Sequence, residues 1–176
     1  MKIVWNGKIV LVGFRGTGKS TVGKELASLL DVEYVSIDDL IRNQFNLSIN
    51  EIIENYGWAL FRKRESEVIA SIKSKNNVVI DTGGGSILTD SNRKNLKNGA
   101  IVVQLTAYKK DIYKRILEGD DRPALTSTAS LRKEIYNVIK IRKELYDAIS
   151  DITINTSKND INKTVEVILK YIKGLV

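Results

Sequence analysis

The chain contains no cysteine and no histidine, and only one proline and one methionine. Without cysteine there is no disulfide scaffold, no thiolate-bound zinc and no thiol nucleophile. Without histidine there is no Ser-His-Asp triad, no imidazole acid–base catalyst and no histidine metal site. An enzyme made from this inventory works with carboxylates, amines, guanidiniums, hydroxyls and backbone amides. Any metal it uses is a hard, oxygen-liganded ion such as magnesium. Long apolar runs are missing too: no stretch approaches the roughly 20 residues of a membrane span. The first twelve residues, broken by Lys2 and Lys8, hold too short an apolar run for a signal peptide. A cytoplasmic protein with no membrane partner is expected. There is no Gly/Ser linker, low-complexity tract or internal repeat, so residues 1–176 read as a single domain.

What is present fits that reading. Of 176 residues, 43% are hydrophobic and 28% charged, the balance of a globular chain rather than a disordered one. The formal net charge of +7 favours anionic partners, namely nucleotides, nucleic acids or phosphorylated metabolites. The lysines and arginines are spread along the chain with no dense tail, so most of them read as a solvated surface.

Short β-branched runs alternate with helical spacing. Strands are expected at 8–12, 33–37, 77–80, 100–105 and 152–154, and helices at 19–30, 38–45, 58–73, 90–97, 109–117, 131–149 and 159–172. In the first helix Val22, Leu26, Leu29 and Leu30 form the apolar face. Ser48 with Glu51 three residues later is a capping box that opens a further short helix. Residues 118–130 are polar, carry Gly119 and Pro123, and lack periodicity. The alternation predicts an α/β fold with a mostly parallel sheet. Ligands in such sheets bind beyond the carboxyl ends of the strands, here Gly13, Asp38, Asp81 to Gly85, and Thr106.

The strongest motif is Gly13-Phe14-Arg15-Gly16-Thr17-Gly18-Lys19-Ser20, a match to G-x-x-x-x-G-K-[ST] between a strand and a helix. Glycines let the backbone curl so that successive N–H groups face phosphate oxygens. The helix that begins at Lys19 and runs through Thr21 adds free N–H groups and a positive dipole end. Lys19 reaches the outer phosphates, and the Ser20 hydroxyl is a ligand for magnesium. Nucleoside triphosphate binding follows.

Phosphoryl transfer asks a protein mainly to position groups and stabilise charge. Asp81, after Val78-Val79-Ile80, suits a Walker-B-like part beside magnesium, or else a cap or turn. Asp38 can meet an acceptor hydroxyl, cap the next helix, or do both; Asp39 is expected to face solvent. Gly83-Gly84-Gly85 is more glycine than a sharp turn needs and points to close contact with a ligand. Arg62, Arg122 and Arg142 supply two tasks: a bidentate clamp on a substrate carboxylate, and a cation on a mobile segment that covers the transferring phosphoryl group. Spacing alone does not assign them.

Taken in order, Gly13 to Ser20, Ile37-Asp38, Phe61-Arg62 with Glu65, the glycine triplet, Arg122-Pro123, and Arg142 with Tyr146 resemble the shikimate kinases, of the nucleoside-monophosphate-kinase-like P-loop group. The resemblance runs from about Lys8 to the C-terminal helix. It implies a P-loop NTPase with a three-layer α/β/α fold and a five-stranded parallel sheet in the order 2-3-1-4-5. It implies transfer of the ATP γ-phosphoryl group, with magnesium, to the 3-hydroxyl of shikimate, a step toward chorismate and the aromatic amino acids. By position, Asp38 holds the acceptor hydroxyls, Arg62 and Arg142 grip the carboxylate, and Glu65 braces Arg62. Gly83, Gly84 and Gly85 offer N–H groups to shikimate. Arg122 arrives on a lid at about 118–130, Arg115 lies near adenine, and substrate-binding helices span about 38–74. A monomer with no nucleic-acid partner is expected.

One departure stands out. The family has Asp-x-Asp at the end of the second strand, where its first aspartate helps organise magnesium through water; this chain has Ser36-Ile37-Asp38. Asp81 stands where the family more often has a small or hydroxyl residue, and it is expected to restore the lost charge. Two other readings fit the same motifs: a kinase of another small hydroxy acid such as gluconate, or a nucleotide-binding domain that has lost its chemistry.

Overall fold

The structure, a computed structural model, describes residues 5–119 and 130–174. Five strands form one all-parallel sheet: β1 (Lys8–Val12), β2 (Glu33–Ser36), β3 (Val78–Asp81), β4 (Ala100–Thr106) and β5 (Ile152–Asn155). Their order is β2-β3-β1-β4-β5, as the resemblance implies. The helices are α1 (Lys19–Leu30), α2 (Ile37–Phe45), α3 (Ile49–Ser71), α4 (Asp90–Lys97), α5 (Lys109–Gly119), α6 (Leu131–Ile149) and α7 (Ile161–Lys173). Among the described residues, no helix is long and apolar enough to cross a membrane.

β1 is central and wholly buried, because both faces of the sheet are covered. On one face Val22 and Leu26 of α1 and Ile168 of α7 pack against Ile9, Leu11 and Val79. On the other, Ile41, Ile52, Phe61, Leu96 and Tyr146 pack against Val10, Val12 and Ile80. A third cluster joins Phe14 of the phosphate loop to Ile112, Ile116, Ile135 and Val138 of α5 and α6. That cluster seats the loop and the helix pair against each other.

The structure corrects several expected positions. Leu29 is 51% exposed, and Ala27 takes its place on the buried side of α1; at 100° per residue Leu29 falls at the edge of the Val22–Leu26–Leu30 stripe. β2 stops at Ser36, one residue early, because Ser36 is the N-cap of α2: its hydroxyl accepts from the Asp39 N–H at 3.2 Å. Asp38 is therefore not the cap but lies in the first turn of α2. Asp81 belongs to β3 itself rather than following it. The short helix opened by the Ser48–Glu51 capping box runs on into the next one as α3, with a kink at Gly57 (φ 80°). Asp39 is half-exposed and paired with Arg42.

Candidate active site

The phosphate loop owes its shape to three glycines. Gly16 (φ 75°) and Gly18 (φ 89°) are left-handed, the region where a side chain is disfavoured. A Cβ on Gly13 would lie 2.2 Å from the Leu105 carbonyl oxygen, so the loop presses directly on β4. The N–H groups of Gly16, Gly18, Ser20 and Thr21 donate to no protein acceptor among the described residues. They form an anion-binding concavity at the positive end of α1. Lys19 is buried, and its ammonium donates to the carbonyls of Gly13 (3.0 Å) and Phe14 (3.1 Å), bridging the loop. The Thr17 hydroxyl donates to Phe14 O at 2.8 Å and braces the turn from within.

Two arginines hold the loop from outside. Arg115 of α5 donates to Gly16 O (3.0 Å) and to the Thr156 hydroxyl (3.1 Å). Arg15 forms a buried ion pair with Glu134 of α6 at 2.7 Å. The Arg15 side chain, expected to meet the nucleotide, is thus tied to a helix while Arg15 also lines the cavity beside the loop.

Next to the loop is a carboxylate site. Asp81 Oδ2 accepts from the Ser20 hydroxyl at 2.6 Å and from the Tyr34 hydroxyl at 2.9 Å. Burial first, and then the Asp81 charge, push the Tyr34 phenol well above its ordinary range, so it stays a donor. In the β2–β3 ladder Ser36 is the register partner of Asp81. Position 36, where the family pattern has a carboxylate, thus lies directly across the ladder from the Asp81 carboxylate. One hydroxyl and one carboxylate beside a phosphate loop suit magnesium, which takes few protein ligands and keeps several of its waters.

The third part centres on the glycine triplet. A Cβ on Gly83 would lie 2.8 Å from Glu65 Oε1 and 3.3 Å from Asp38 Oδ1; on Gly85 it would lie 2.3 Å from the Arg62 guanidinium. The glycines are needed because carboxylates and a cation close in on the backbone there. Arg62 donates to Glu65 (2.7 Å) and stacks 5.0 Å from the Trp58 ring. Glu65 is fully buried and also accepts from Ser86 at 2.6 Å. From the other side, Arg142 (2.9 Å) and Tyr146 of α6 both donate to Gly84 O. Burial lowers the Arg142 pKa, and repulsion from Arg62 adds to this; burial raises Tyr146 to about 12. The Gly83 and Gly85 carbonyls accept from Ser86 and Leu88, and the three glycine N–H groups donate to no protein group among the described residues. A cavity of about 400 Å³ runs from the phosphate loop past Asp81 and Asp38 to Gly83 and Gly84, with Arg115 on its wall. The phosphate loop thus opens toward Gly83 and Gly84, against which the Arg62 and Arg142 guanidiniums are packed from behind.

Known proteins match this arrangement along almost its whole length. The family model described as Shikimate kinase matches residues 15–173. The chain belongs to the shikimate kinase family. It is 36% identical over 173 residues to the shikimate kinase of Syntrophus aciditrophicus, covering 92% of this chain and 89% of the relative. It is 33% identical over 165 residues to that of Enterococcus faecalis, covering 94% and 98%. The solved shikimate kinase from Acinetobacter baumannii, in complex with shikimate, superposes with a TM-score of 0.90 at 32% identity, covering 98% of this chain and 95% of that one.

As a shikimate kinase family member, the chain brings nearly every expected site residue to one end of its sheet. Arg15, Gly16, Gly18 to Thr21, Asp38, Asp81, Gly83, Gly84 and Arg115 line the cavity, and Arg62, Glu65 and Arg142 lie behind it, packed on the glycine triplet. Arg122, with all but the ends of the expected lid, lies outside the described residues. Three contributors were not anticipated: Tyr34, Glu134 and Ser86. Tyr34 reads as an ordinary strand aromatic, and Ser86 as a turn residue. Glu134 offers no local signal, because its partner is 119 residues away.

Proposed function

We propose that this chain transfers the γ-phosphoryl group of ATP to the 3-hydroxyl of shikimate. The observation that carries this is the cationic pair: Arg62 and Arg142 flank Gly84–Gly85, and Glu65 is bonded to only one of them. Two guanidiniums against one carboxylate leave a positive charge beside Gly84 and Gly85, at the end of the cavity, which a substrate carboxylate neutralises. ATP lies with its phosphates on the Gly13–Thr21 loop and its base toward Arg115. Ser20 and Asp81 would hold magnesium, which when bound would screen the phosphate charge. The Asp38 carboxylate accepts the shikimate hydroxyl hydrogen and aims its oxygen at the γ-phosphorus, and the N–H groups of Gly83 to Gly85 hold the ring hydroxyls. As the new P–O bond forms, the bond from the γ-phosphorus to the β–γ bridging oxygen breaks, leaving ADP. The hydroxyl proton passes to Asp38. Lys19 follows the charge on the moving group, and Arg122 reaches it from the 118–130 lid. Closure of that lid excludes water and suppresses ATP hydrolysis. The reading takes the protein as a cytoplasmic monomer with a small-molecule substrate; its dispersed lysines and arginines argue against a nucleic-acid partner.

A coupled ADP-release assay with ATP and magnesium tests this by comparing shikimate, gluconate and no acceptor. Turnover with shikimate alone is expected. Turnover with gluconate instead would reassign the pocket, and ATP binding without turnover on any acceptor would leave a nucleotide-binding domain. The clamp is tested separately by Arg142→Met. Its KM for shikimate should rise roughly 10- to 100-fold, the loss of a charge-assisted pair, with kcat changed far less. An unchanged KM would remove Arg142 from the clamp.

A further inference from the structure

We propose that Tyr34 is a positioning residue for the divalent-cation site. Its hydroxyl holds the Asp81 carboxylate against Ser20 and so sets the affinity for the ion that accompanies the nucleotide. The inference rests on the reading above that Ser20 and Asp81 hold magnesium.

The geometry begins with the ladder. Tyr34 pairs with Val79 and Ser36 with Asp81, so Tyr34 and Asp81 are diagonal neighbours on one face of the sheet. That diagonal is within reach of a tyrosine, while Ser36, directly opposite Asp81, uses its hydroxyl as the cap of α2. The Tyr34 ring is itself fixed. It packs over Gly23 of α1, where a Cβ would come within 2.9 Å of ring carbon Cε2, and the Lys24 ammonium sits 5.8 Å above the ring. A rigid ring thus delivers an O–H at a set place, and that O–H meets Asp81 Oδ2 at 2.9 Å.

The same oxygen accepts from Ser20 at 2.6 Å. This double donation does two things. By giving its proton to Asp81, the Ser20 hydroxyl keeps its lone pairs available for a cation. By binding Oδ2 alone, Tyr34 and Ser20 leave Oδ1 without a hydrogen bond among the described residues. A phenol also suits the task electrostatically. A lysine or arginine here would orient the carboxylate equally well but would cancel its charge and repel the ion. Tyrosine orients it and stays neutral. Ser36 is occupied as the cap of α2; the anchor for the carboxylate comes from two residues earlier on the same strand.

Tyr34→Phe keeps the ring and its packing on Gly23 and removes only the donor. The probe is Mn²⁺, titrated into the full-length protein with ADP and followed by the loss of the free-ion paramagnetic resonance signal. Calorimetric titration of ADP in EDTA gives the metal-free nucleotide affinity, and thermal melts report folding. The Mn²⁺ dissociation constant should rise about tenfold in Tyr34→Phe, the lower end for loss of a group that orients a metal ligand, while metal-free ADP binding stays the same. Asp81→Asn should weaken Mn²⁺ at least as much, and the double variant should match Asp81→Asn alone, because Tyr34 acts only through Asp81. If Asp81→Asn weakens Mn²⁺ and Tyr34→Phe does not, the Tyr34 inference is overturned and the Asp81 reading stands. Additive losses in the double variant overturn it as well. If Asp81→Asn leaves Mn²⁺ affinity intact, the Asp81 reading itself fails and the inference goes with it.

Discussion

Replacing Lys19 by Met is expected to lower kcat roughly 10²–10³-fold, the loss seen when one preorganised group aimed at developing charge is removed. Lys19 is only 8% exposed, and its ammonium rests on two loop carbonyls rather than trailing in solvent. An ammonium in so confined a place acts on the transferring phosphoryl group through a lower effective dielectric than in water. It also loses little on reorganising, because the loop already aims it. Methionine keeps the length of the stem and removes the charge. Steady-state kinetics at saturating ATP and shikimate, with a melt to confirm folding, decide the matter. A folded variant that keeps most of its turnover would show that the loop amides and magnesium carry the phosphates without the lysine.

The second large effect is expected from Asp38→Asn, a fall in kcat of roughly 10²–10⁴-fold, the range for removal of a positioned proton acceptor. Asp38 lies in the first turn of α2, at the positive end of that helix, where a carboxylate is favoured. Its Oδ1 is buried near Gly83, close to where Glu65 also approaches. Asparagine has nearly the same shape and still accepts a hydrogen bond, so shikimate should still bind with a modest change in KM. What it cannot do is take the hydroxyl proton or draw the hydroxyl by charge. In a chain with no histidine, no other side chain near Gly83 has been assigned that task. If kcat falls by no more than KM rises, Asp38 only orients the acceptor, and the loose transition state needs no base.

The two variants probe residues of different legibility. Lys19 stands inside a motif whose chemistry is local: glycines that permit positive φ, a strand before and a helix after. Asp38 follows a strand and opens the next helix in the sequence and in the structure alike; only the cap moves, to Ser36. A serine at 36 is as good a cap as an aspartate at 38, and only the β2–β3 register shows that the strand ends at Ser36. The glycine triplet was recognised as a place of close approach. What approaches it (Arg62 at Gly85, Glu65 and Asp38 at Gly83, Arg142 and Tyr146 at Gly84) became visible only with the chain folded.

By itself, the sequence determined the alternation of strands and helices, the phosphate loop, the capping box at Ser48 and the family's stations in their order. Each depends on chemistry within a few residues: side-chain period, backbone freedom at glycine, or a hydroxyl three residues from an N–H. Tertiary structure alone decided that Asp81 meets Ser20 and Tyr34, that Glu134 engages the Arg15 side chain, and that Arg142 turns to Gly84 O. These pairs are separated by 61, 47, 119 and 58 residues. No local pattern encodes them, because parallel strands are joined only by long crossovers that bring distant segments to the same end of the sheet. The register of those strands then selects which carboxylate faces the phosphate loop, and here it selects Asp81 across the ladder from Ser36.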